Sequence, residues 1–126
     1  MVKSWLIVIA FSGLLSVALG AFGAHGLNGK ISESMLSAFQ TTTHYQMFHT
    51  LALLGVTVLM SQLETLPKGL IAACFMWLAG IIFFSGSLYG LALGGPNWLG
   101  PVTPFGGLLL MMGWVSLLIG SLQLKL

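Results

Sequence analysis

No charged side chain occurs between Lys3 and Lys30, between Glu33 and Glu64, or between Lys68 and Lys125. Four lysines and two glutamates carry all the formal charge of this 126-residue chain, and charged residues are 5% of the total. A soluble domain has about a quarter, so water is not the main solvent for this surface. In lipid the backbone must satisfy its own N–H and C=O groups, which leaves α-helices or closed barrels. Barrel strands alternate polar and apolar residues over about ten positions, whereas "LIVIAFSGLL" and "LLLMMGWVSLLIG" are continuously apolar. The expected fold is therefore all-α and integral to a membrane.

A span needs about 20 predominantly apolar residues, and four are expected at roughly 4–24, 44–62, 68–93 and 104–123, forming a single membrane domain over residues 1–126. The first opens like a secretory signal, with Lys3 ahead of an apolar run and then small residues; we read it as the first span. Ahead of the second span, Ile31, Met35, Leu36, Phe39 and Thr43 recur at helical spacing. Ser32 is a suitable N-cap, with Glu33 in the first turn where the helix dipole favours a negative charge. No Gly or Pro interrupts the stretch from Lys30 to Gly55. One helix from Ser32 through Gln62 would be about 45 Å long, more than the hydrocarbon core requires. The predicted architecture is a four-transmembrane-helix bundle with an interfacial extension before helix 2. Pro67 stands near the start of the third helix, where its missing N–H does no harm. The segment "GGPNWLGPVTP" reads as a loop, with Trp98 at the bilayer interface.

Four spans put both termini on one side. Lys3, Lys68 and Lys125 share that side and only Lys30 faces the other, so the positive-inside rule places both termini in the cytoplasm. The lysines are scattered, which offers no surface to nucleic acid. Cys74 is the sole cysteine, which excludes an intrachain disulfide and a multi-cysteine metal site; between Ala73 and Phe75 it reads as a small apolar helix residue.

Helix association in lipid relies on close backbone approach and interhelical hydrogen bonds. Small residues recur at helical spacing in three spans: Ser12, Ser16 and Gly20 with Ala24 in the first; Gly86, Gly90 and Gly94 in the third; Gly106, Gly113 and Gly120 in the fourth. These are expected packing stripes. The second span differs. On a helical wheel Thr42, Gln46, His49, Thr50 and Thr57 fall within an arc of about 100°, with His44 well away from it and Tyr45 at its flank. Such a stripe is expected to face the bundle interior, where polar groups escape lipid.

His25, His44 and His49 sit near one predicted membrane face. Imidazole ligates zinc, copper and haem iron, but a ligand pair on one helix is usually four residues apart. His44 and His49 are separated by five positions, about 140° around the helix. His25 with His49 remains open as a metal or haem pair. The other reading is that His49 hydrogen-bonds within the bundle while His44 reaches for headgroups. No Gly-rich phosphate loop and no serine elbow of the GxSxG type occurs. Glu33 and Glu64 fall on opposite predicted faces, so they cannot act as a catalytic pair. No span has an acidic or basic residue at its middle, which argues against ion-coupled transport. The chain is not expected to be an enzyme, and no cofactor, metal or nucleic acid is expected.

Three stretches, "LGAFGAHGL", "TTTHYQMFHTLALL" and "FSGSLYGLALGG" followed by "LGPVTPFGGLLLMMGW", resemble in the same order the small membrane proteins of domain-of-unknown-function family 423, a group of YgdD-like and transmembrane-protein-256-like chains. The resemblance spans nearly the whole chain. It implies four transmembrane helices and residence in the bacterial inner membrane, and it implies no biochemical activity. It carries the family's recurring residues onto Gly23, His25, Gly26, His44, Tyr45, His49, Ser85, Gly86, Tyr89, Pro101, Pro104, Gly106 and Gly107. The expected function is a non-enzymatic structural or interaction role, exercised through membrane lipids, a homo-oligomer or a membrane-protein partner. The alternative is binding or permeation of a small ligand, lipid, quinone, metal or haem at an outward-facing cluster of His25, His44, Tyr45, Gln46, His49 and Tyr89.

Overall fold

The computed structural model describes residues 1–125 and consists of four helices. These are α1 (Val2–Gly26), α2 (Glu33–Ser61), α3 (Lys68–Ala92) and α4 (Leu99–Leu122). The last five residues of α1, Phe22–Gly26, and the middle of α3, Ile81–Ser85, are wound as π-helix. The Leu27 N–H closes the first of these turns on the Phe22 carbonyl at 3.1 Å.

Each helix end has a local cause. The Ser32 hydroxyl accepts from the Met35 N–H at 3.2 Å, and Glu33 occupies the first turn of α2. Pro67 is the N-cap of α3. At the far end of α3 the Gly95 N–H bonds the Gly90 carbonyl at 2.7 Å and the Gly94 N–H bonds the Leu91 carbonyl at 3.2 Å. Gly94 has φ of +84°. This is a Schellman stop, and the left-handed position calls for glycine.

The fourth helix begins earlier than the expected span, at Leu99 rather than near 104, and takes in Pro101 and Pro104. The first four N–H groups of a helix have no intrahelical acceptor, so Pro101 sacrifices nothing. Pro104 lies beyond that turn and leaves the Gly100 carbonyl without its i+4 partner.

The most intimate packing joins α1 to α2 and α3 to α4, while α2 lies against α3. Trp5, Leu53, Met60, Leu70, Cys74, Trp77 and Leu110 belong to a large apolar cluster. Leu27, Phe39 and Ala92 form a smaller one at the other end, with Tyr89 and Met35 against it. Gly106 presses on the backbone of Phe83 and Phe84, Gly113 on the Trp77 ring, and Gly120 on Gly69 and Leu70. On α1, Ser12 and Ser16 are buried and Gly20 lies opposite Thr43.

The stripe expected on α3 is corrected. Gly86 is exposed with open space around it, Gly90 faces Leu99 at the turn into α4, and Gly94 is outside the helix in the Schellman stop. Of these three only Gly90 closely approaches α4, at Leu99, and further close approaches of α3 to α4 are made at Gly69 and Gly80. The four-residue spacing says that these glycines share a face but not that a neighbour lies against it, and α3 stops before Gly94.

By length and composition three helices can cross a membrane: α1, α3 and α4. The second expected span, 44–62, lies within α2 but is not among these three. Its apolar content is diluted by the polar stripe, of which Thr42, Gln46, His49, Thr50 and Thr57 are all buried. Its opposite face remains apolar, with Phe48, Leu51 and Val58 exposed.

Candidate functional site

Between the two apolar clusters the buried Gln46, His49 and Thr50 of α2 together bond to every other helix. Gln46 is 3% exposed. Its amide nitrogen donates to both the carbonyl and the hydroxyl of Ser12 on α1, each at 3.2 Å, and its Oε1 accepts from the Tyr89 hydroxyl on α3 at 2.7 Å. The Thr50 hydroxyl donates to the Gln46 carbonyl at 2.6 Å, so the 2.7 Å bond between Ser12 and Thr50 has Ser12 as its donor. The chain of donors runs from Tyr89 through Gln46 and Ser12 to Thr50 and ends on a backbone carbonyl. Ser85 adds a long bond to the Thr42 carbonyl at 3.5 Å.

His49, 5% exposed, makes the link to α4. Its Nδ1–H donates to the Tyr45 carbonyl at 2.7 Å and its Nε2 accepts from the Trp114 indole N–H at 3.0 Å. A carbonyl only accepts and an indole N–H only donates, so the tautomer is fixed with the proton on Nδ1. Both ring nitrogens are engaged, and no lone pair of His49 is free to bind a metal or haem iron. Among the described residues no group of three or more His, Cys, Asp or Glu is placed around a common point. The Thr42 and Thr57 hydroxyls and the Trp77 indole N–H are buried without partners among the described residues.

Above the His49–Trp114 bond a cleft of about 520 Å³ opens sideways between α2 and α4. Tyr45, His49, Phe84 and Trp114 supply its ring-bearing walls, and Pro104, Gly107, Leu108 and Met111 its α4 side. The rings touch in series: Tyr45 on Phe84 at 5.2 Å, Tyr45 stacked on His49 at 6.1 Å, His49 on Trp114 at 5.8 Å and Trp114 on Trp77 at 4.8 Å.

The six residues expected at one outer rim separate into three places. His25 is exposed in the terminal turn of α1. His44 is exposed and lines a different groove, with Ser16, Gly20, Gln40, Thr43 and Met47. Gln46 and His49 lie deeper. Trp114, which His49 meets, is about 22 Å along α4 from Leu99 and about 12 Å from Leu122. Tyr89 reaches Gln46 from near the end of α3, and Tyr45 walls the cleft.

Sequence reasoning took Ser12 as a packing residue and missed its part in the polar belt. It passed over Phe84, Met111 and Trp114 as site residues altogether. Trp114 did carry a signal, since tryptophan favours the membrane interface and this one stands well inside an apolar run.

A family model described as "Protein of unknown function (DUF423)" matches residues 19–107. A UPF0382 membrane protein of Staphylococcus aureus is 45% identical over 121 residues, covering 96% of this chain and 97% of its own. A UPF0382 membrane protein of Haemophilus influenzae is 44% identical over 127 residues, with coverage of 99% and 98%. The UPF0382 inner membrane protein YgdD of Escherichia coli is 42% identical over 125 residues, with coverage of 95% and 90%. No solved structure matches.

Proposed function

This chain belongs to the DUF423 family of membrane proteins, and from that premise we propose that it is a non-enzymatic protein of the bacterial inner membrane, acting through what its lipid-facing surface binds. In this reading all four helices cross the bilayer and both termini lie in the cytoplasm. The observation that carries it is the closed polar belt. The side chains of Gln46 and His49 bond Ser12, Tyr89 and Trp114 on the three other helices, and His49 also bonds the Tyr45 carbonyl on α2, so the polar atoms of both are spent on joining helices. Buried polar residues in a membrane bundle ordinarily serve this way or mark a pathway, and a chain of donors that ends on a carbonyl is no pathway.

A second reading, ligand binding, draws on the α2–α4 cleft. Its volume is in the range of small-molecule sites, about 300–1,000 Å³, and it opens toward the apolar flank of the bundle. Both readings place the working surface in contact with lipid. The experiment is native mass spectrometry of protein released from native membranes in mild detergent, together with cross-linking in intact membranes. Retained lipid, a second copy or a membrane-protein partner is the expected result. A bare monomer that cross-links to nothing in its own membrane would overturn the interaction role.

A further inference from the structure

The α2–α4 cleft has three properties that together narrow its occupant. First, it is entered from the side: Tyr45, Leu108, Met111 and Trp114 on its lip are all exposed on the apolar flank. A ligand would therefore arrive from within the bilayer. Second, none of the six charged side chains lines it, so nothing there would offset a phosphate or an ammonium group. Third, its polar ledger has one vacancy. His49 and Trp114 satisfy each other, whereas the Tyr45 hydroxyl has no partner among the described residues. A phenolic O–H facing hydrocarbon gains from any acceptor that reaches it.

The shape agrees with this chemistry. Phe84, in the π turn of α3, forms part of the cleft wall, and a Cβ at Gly107 would rest in ordinary contact with its ring, 3.6 Å away. With no side chain at Gly107 the α4 wall is low at that point, and a ring can lie over it beside the Tyr45 and Phe84 rings. From Pro104 to Trp114 the α4 side of the cleft runs for about 15 Å. An acyl chain would leave the hydroxyl unpaired and would gain nothing from aromatic walls over ordinary lipid contact.

We propose that the cleft binds a neutral, membrane-dissolved molecule whose head is a flat ring bearing carbonyl oxygens, the quinone class, with the Tyr45 hydroxyl donating to a ring carbonyl and the apolar tail leaving past Leu108 and Met111. This rests on the ligand-binding reading of the cleft and names its ligand class and contact residue.

The test uses the full chain in phospholipid nanodiscs, titrated with a short-chain ubiquinone analogue while tryptophan fluorescence is followed. Saturable quenching is expected, because Trp114 borders the site. Tyr45→Phe should weaken the half-saturating concentration about tenfold, the scale of one lost hydrogen bond, with the thermal midpoint unchanged. Gly107→Leu should project a side chain into the cleft and abolish saturable quenching while the protein remains folded. Unsaturable quenching of the wild type, or saturable quenching that survives Gly107→Leu, overturns the proposal. If native mass spectrometry finds a phospholipid retained by the wild type and lost from Gly107→Leu, with no saturable quinone binding, the ring class fails and the ligand-binding reading stands. If neither molecule is held, both fail.

Discussion

At the scale of single residues the decisive group is the Gln46 amide, which joins α1 and α3 to α2 through three side-chain bonds. Interhelical hydrogen bonds in membranes average about 0.6 kcal/mol and reach about 1.7 kcal/mol. Tyr89→Phe removes one bond and leaves Gln46 Oε1 unpaired, so a loss of about 1 kcal/mol is expected. Gln46→Leu removes all three and leaves the Tyr89 hydroxyl unpaired, for about 2 kcal/mol. Reversible unfolding in mixed micelles measures both. The double variant distinguishes a real bond from mere proximity: once Gln46 is gone the Tyr89 hydroxyl is already an orphan, so the combined loss should fall short of the sum. Additive losses would mean that the two side chains are not coupled. The inward turn of Gln46 and His49 was legible from a helical wheel, because polar groups in a long apolar helix have only one favourable side. Their partners were not legible. Ser12, Tyr89 and Trp114 are distant in sequence, and a serine at a helix interface looks the same whether it packs or bonds.

At the scale of elements, the tightest contacts of α3 with α4 include those at Gly69, Gly106 and Gly120, whose nearest neighbours are backbone, not side chain. A methyl at Gly106 would overlap the main chain of Phe84, which cannot rotate away. Gly106→Ala is therefore expected to force the two helices apart, at about 2 kcal/mol or more. Gly86→Ala adds a methyl to open space in a helix and should stabilise by about 0.5–1 kcal/mol, the difference in propensity between the two residues. The pair of variants, compared by thermal unfolding in one detergent, separates packing glycines from idle ones; equal effects would contradict the helix interface described here. The seven-residue recurrence of Gly106, Gly113 and Gly120 was a sound signal because α4 keeps regular winding across all three. On α3 the same kind of pattern picked out one glycine that meets α4, Gly90, and two that do not, Gly86 and Gly94. Spacing tells which residues share a face, not which face meets a neighbour, and Gly94 serves the turn that ends the helix.

At the scale of the whole molecule α2 decides how many times the chain crosses the bilayer. Its polar content excludes it from the helices that are apolar enough by composition alone. Composition, however, counts both faces of a helix, whereas lipid meets only one. The outward face of α2 carries Phe48, Leu51 and Val58, while the threonines, Gln46 and His49 that lower its hydropathy are buried against other helices. At about 43 Å the helix exceeds the thickness of a hydrocarbon core. Four crossings would gather Lys3, Lys68 and Lys125 on one face and set Lys30 on the other; three would separate the termini and gather Lys30, Lys68 and Lys125 opposite Lys3. Labelling with a membrane-impermeant maleimide tells the two apart. In a Cys74→Ala background, single cysteines at the exposed positions Ser34, Thr65 and Gln123 report the two ends of α2 and the end of α4. On the proposed topology Ser34→Cys reacts in intact cells, while Thr65→Cys and Gln123→Cys react only after lysis. Labelling of Ser34→Cys and Thr65→Cys together from one side would mean that α2 does not cross. The polar belt would then have to be explained without a bilayer around it.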